Sequence, residues 1–88
     1  MEVDLRKYIA IIPTVKRMYE ANRGSDMSEI ATRAALATEA PIIVVNRMMT
    51  IFYGEIPELE KQLIALTQFY GYGNIIGEEE IKKYADTI

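Results

Sequence analysis

The stretch Ile42-Ile43-Val44-Val45-Asn46-Arg47-Met48-Met49-Thr50-Ile51-Phe52-Tyr53 holds nine apolar residues of twelve and contains no glycine, proline or other turn former. Its β-branched start suits a buried strand, but twelve residues without a turn signal is too long for one. The intrinsic cost of valine and isoleucine in a helix is small beside the gain from burial. The stretch is therefore expected to form a central helix over residues 41 to 53. A helix that is apolar nearly all round cannot rest on a protein surface, so it needs cover on several sides or a second subunit.

The other segments are set by the residues that interrupt the chain. Gly24-Ser25, Gly54 with Pro57, and Gly71-Tyr72-Gly73-Asn74 through Gly77 divide it into pieces of helix length. Leu5, Ile9, Ile12, Val15 and Tyr19 fall at helical spacing, but Pro13 lacks an amide donor and restricts the residue before it. A helix is expected from about residue 9 to residue 22. Residues 2–8 remain open to a short strand, with Pro13 either in a first turn or dividing that strand from the helix after it.

Ser25 and Asp26 are N-cap candidates for a second helix through Ile30 and Leu36, with Glu29 placed for a capping box. Thr38-Glu39-Ala40-Pro41 leads into the central helix, with the proline in its first turn. Gly54 suits its end and Pro57 the start of another helix, whose residues Leu59, Leu63, Leu66 and Tyr70 form one stripe. Glu78-Glu79-Glu80 followed by Lys82-Lys83 gives a last helix the charge order that its dipole favours, with Ile81, Tyr84, Ala85 and Ile88 on one side. The expected fold is all-α or nearly so: a single domain over residues 1–88, a bundle of four to five short helices.

Composition narrows the chemistry. The 88 residues include no cysteine and no histidine, which removes thiolate chemistry, the usual general base and the commonest metal ligand. Glu78-Glu79-Glu80 on consecutive helical positions point apart and read as a solvated helix start. Glu55, Glu58 and Glu60 have no partner that would tune an acid or base. Gly71-Tyr72-Gly73-Asn74 lacks the Lys-Ser/Thr of a phosphate loop and reads as a turn. No enzyme activity, cofactor, metal or small-molecule substrate is expected. No apolar run is long enough to cross a bilayer, and the first residues do not resemble a secretory signal, so an intracellular, cytoplasmic protein is expected.

In so short a chain, added burial through self-association is a reasonable expectation. Val45, Met48, Met49, Phe52, Leu59, Leu63 and Leu66 are the candidate subunit interface, with Met18 and Met27 as further adaptable fillers. Tyr53, Phe69, Tyr70 and Tyr72 are candidates for an aromatic recognition patch as well as for core. The expected function is a non-enzymatic protein–protein interaction or assembly module acting as a homo-oligomer.

The charge distribution supports one alternative. The net charge of −3 divides unevenly: residues 1–47 carry seven Lys/Arg against six Asp/Glu, and residues 48–88 carry three against seven. Nucleic acid would therefore meet the first half. There, Glu20-Ala21-Asn22-Arg23-Gly24-Ser25-Asp26-Met27-Ser28-Glu29-Ile30 followed by Ala34 resembles the turn and second-helix start of ribbon-helix-helix repressors. The resemblance covers about residues 3–40. It implies a strand with Val3 and Leu5 on the buried face and Glu2, Asp4 and Arg6 on the groove-reading face. That strand would pair with its copy in a dimer and enter the major groove. It would make Arg6, Arg23 and Arg33 the DNA contacts of a dimeric transcriptional regulator. The chain departs from the family at Lys7, at Tyr8 and at Pro13, and two acids lie on the reading face. A conventional helix-turn-helix over residues 28–47, with Arg33 and Arg47 at phosphates, is a related reading, and it would put Pro41 in the recognition helix.

Overall fold

The computed structural model describes residues 2–70 and 74–87, excepting the side chains of Phe69 and Tyr70. Its order is a short strand β1 (Val3–Asp4), a 3-10 segment (Leu5–Ile11), α1 (Ile12–Ala21), α2 (Met27–Thr38), α3 (Ile42–Tyr53), α4 (Pro57–Tyr70), β2 (Ile75–Ile76) and α5 (Glu78–Thr87). The fold is an all-α bundle with one small parallel ribbon.

The central helix lies where the apolar run places it. Ile43, Val44, Val45, Asn46, Met48 and Met49 are buried, and no residue of α3 is exposed. Cover comes from α1, α2, α4 and α5, all in contact with α3. Each fully buried aliphatic contributes about 1.5–3 kcal/mol relative to exposure, which outweighs the weak helix propensity of its β-branched first turn. The buried residues Leu5, Ile12, Val15, Ile30, Ala31, Ala34, Leu59 and Ile81 join α3 in one cluster.

Helix ends follow local chemistry. Asp26 caps α2 by accepting from the Ser28 amide at 2.9 Å and the Ser28 hydroxyl at 2.7 Å. The capping box does not close, because Glu29 turns instead to Arg33. Glu39 ends α2 in the left-handed region at φ 55. Pro41 lies just before α3, one residue outside the first turn expected for it. Pro13 is in the first turn of α1, where its missing amide leaves no bond unmade.

The N-terminal region is shorter as strand than the open range 2–8. Only Val3 and Asp4 are extended; Asp4 then accepts from the Arg6 amide at 3.0 Å and starts the 3-10 segment. Val3 and Asp4 pair in parallel with Ile75 and Ile76 of the same chain. Tyr84, expected on the apolar side of α5, is exposed, whereas Ile81 is fully buried. Gly71, Tyr72, Gly73 and Ile88 lie outside the described residues, and with them the expected turn.

Gly77 joins the ribbon to α5 at φ 92, and a Cβ there would meet Arg6 Cγ at 2.8 Å. Gly77→Ala is expected to destabilise the fold by about 1–3 kcal/mol, read as a lowered urea midpoint. Gly24, at φ 90 with open space around it, should show the smaller loss on the same substitution.

Candidate functional site

The seven residues expected at a subunit interface divide into two groups. Val45, Met48, Met49 and Leu59 are fully buried inside the chain's own core. Phe52, Leu63 and Leu66 pack against that core but keep part of their surface exposed. Met18 and Met27 are also partly buried. Leu36, on α2, is 76% exposed and Ile64, on α4, is 66% exposed. Helices α2 and α4 are in contact. The sequence places Leu36 within the second helix without assigning it a face, and Ile64 is not among the residues expected at an interface. The signal was available: Leu63, Ile64 and Leu66 fall in just over one helical turn, and one face cannot bury all three.

Beside this surface a cleft of about 390 Å³ opens between α3, α4, β2 and α5, lined by Ile43, Arg47, Leu63, Thr67, Asn74, Ile75 and Glu78. Arg47 crosses it to Glu78 at 2.9 Å, so a residue expected at most to reach phosphate is tied to a carboxylate expected to be solvated. Next to it, Asn46 is fully buried and donates through Nδ2 to Gln62 Oε1 at 2.7 Å. Asn46 Oδ1 and Arg47 Nε are buried without a hydrogen-bond partner among the described residues. Leaving such groups unpaired costs about 1–3 kcal/mol each. Asn46 interrupts the apolar run after Val45, and that interruption was its one visible signal in the sequence.

A second cluster joins the ends of α1 and α3. The Tyr19 and Tyr53 rings stack at 3.6 Å with 18° between their planes, and Phe52 meets Tyr53 edge-on at 6.0 Å. Arg23 lies 5.8 Å from the Tyr19 centroid, and Lys16 lies 5.6 Å from that of Phe52 while donating to the Ala85 carbonyl at 3.3 Å. Tyr53 donates to Glu20 Oε1 at 3.4 Å. Burial first, then the Glu20 charge and hydrogen bond, push the Tyr53 hydroxyl up to about 12. This arrangement is internally satisfied and holds two helices together. Of the expected aromatic patch, Tyr53 is here, while Tyr72 and the side chains of Phe69 and Tyr70 lie outside the described residues.

The three arginines expected at DNA are each engaged by carboxylates. Arg6 contacts Asp4 at 2.8 Å and Glu80 at 3.8 Å, Arg23 contacts Glu20 at 3.1 Å, and Arg33 contacts Glu29. Arg6 beside it holds the Asp4 carboxyl below its usual range. The described residues contain no group of three or more acidic side chains placed to hold a metal ion. None of the helices so described is long and apolar enough to cross a membrane.

Compared with known proteins, the chain matches no family model, no curated protein and no solved structure.

This geometry predicts two outcomes. Val45→Asp and Met49→Asp should unfold the chain rather than release folded subunits, because each would bury an unpaired charge in its own core; circular dichroism reads the loss of helix. Tyr53 should ionise above the ordinary tyrosine range, at about 12. Its raised value means that the stability it adds is present below pH 10 and is lost as pH rises from 10 through about 12. An alkaline absorbance titration should lose a phase near pH 12 in Tyr53→Phe.

Proposed function

We propose that the protein is a non-enzymatic interaction module that self-associates through the outward side of α2 and α4. The observation that carries this reading is the exposure of Leu36 and Ile64 on two helices in contact, with Leu63 and Leu66 half-covered alongside Ile64. Isolated surface aliphatics are ordinary, but several within one turn form the kind of apolar area that association removes from water. The fully buried Val45, Met48, Met49 and Leu59 support that surface from beneath rather than meeting a partner. Arg6, Arg23 and Arg33, the DNA contacts of the alternative reading, each have a carboxylate of their own chain beside them that offsets the positive charge a phosphate would meet, so the interaction reading takes precedence.

Sedimentation equilibrium tests the proposal. The wild-type protein should exceed its monomer mass of 10.0 kDa. Leu36→Asp and Ile64→Asp should return it to that mass with unchanged helix content, since both side chains already face water. A wild-type protein that stays at monomer mass at every concentration would exclude self-association.

A further inference from the structure

Helix α4 is attached to the bundle unlike its neighbours. Leu59 is its one fully buried side chain among the described residues, whereas α3 buries Val44, Val45, Met48 and Met49 completely. Glu58, Glu60 and Lys61 are exposed and take part in no ion pair among the described residues. The bond from Asn46 Nδ2 to Gln62 Oε1 is the one side-chain hydrogen bond that joins α4 to another element among those residues. The other outer helices are fastened differently: α2 buries Ile30, Ala31, Ala34 and Ala35, and α1 and α5 are tied by polar and aromatic contacts. Lys16 and the Tyr19–Tyr53 stack tie α1 to α5 and α3, and Arg47–Glu78 and Arg6–Glu80 hold the start of α5.

The seam under α4 is also imperfect. Asn46 Oδ1 is buried there without a partner, and Arg47 Nε lies buried beside the same cleft, also unpaired. Water would satisfy both groups if α4 lifted, so opening recovers hydration that closure gives up. The connection from α3 permits such movement: Gly54 has φ 82 and no other group within 4 Å of where a Cβ would be. Only Glu55 and Ile56 separate it from Pro57, where the helix begins.

We propose that α4 is a strap that opens as a unit about Gly54–Ile56 while α1, α2, α3 and α5 stay packed. Opening bares Asn46 and the socket of Leu59 to solvent in the single chain, and association through α2 and α4 would hold the strap closed. Opening is a local equilibrium distinct from global unfolding.

Residue-resolved hydrogen exchange on the intact protein, diluted to monomer, tests this. Once detached, α4 is too short to persist as a helix, so amides at positions 61–68 should exchange at least about tenfold faster than those at 45–49 and depend only weakly on low denaturant. Equal protection and equal denaturant dependence in the two segments would overturn the strap. Val15→Ala, which weakens the core on α1, supplies a second measurement. It should accelerate exchange in α3 several-fold and leave exchange in α4 unchanged, because α4 opens without disturbing α1. An equal acceleration in both would mean that α4 is released only when the whole chain unfolds.

Discussion

The fold depends on covering α3. A twelve-residue helix with no exposed position must be enclosed from every side, and four further helices lie against it. Small residues contribute to the enclosure: Ala31, Ala34 and Ala35 of α2 are buried in the same cluster as the core residues of α3, and α2 and α3 are in contact. The ribbon of β1 and β2 then ties the start of the chain to the segment before α5, with Val3 in register with Ile75 and donating its amide to the Asn74 carbonyl at 3.1 Å.

Electrostatics are mostly local. Arg23 with Glu20, Arg33 with Glu29 and Lys82 with Glu79 are exposed pairs within one helical turn or at a helix end, where ion pairs add little. Arg47–Glu78 and Arg6–Glu80 differ because they connect separate elements around α5. The cost of burying a polar side chain in the central helix falls at Asn46, beside α4.

Much of this was legible from residue spacing. The apolar run fixes α3, and Gly54 with Pro57 fixes the α3–α4 boundary, because those residue types restrict the backbone directly. Asp26 was readable as a cap for the same reason. The ribbon was not: β2 is two residues long, and its pairing with Val3–Asp4 spans almost the whole chain, beyond the reach of any local pattern. Nor could periodicity tell a chain that covers α3 by itself from one that needs a partner, so Val45, Met48 and Met49 read equally as core or interface. Arg47 and Glu78 are far apart in sequence and show no pattern that joins them. Ile64 is a different case: its crowding with Leu63 and Leu66 was visible, but which of the three would face outward depends on how α4 rolls against α2 and α3.

One chain encloses α3 without help. The most direct measurement is denaturant unfolding followed by circular dichroism on protein diluted until sedimentation shows only monomer. A self-contained core predicts a single cooperative transition from a fully helical monomer. Helix content that falls on dilution, or a monomer that melts without cooperativity, would contradict it and show that the cover of α3 requires a second copy.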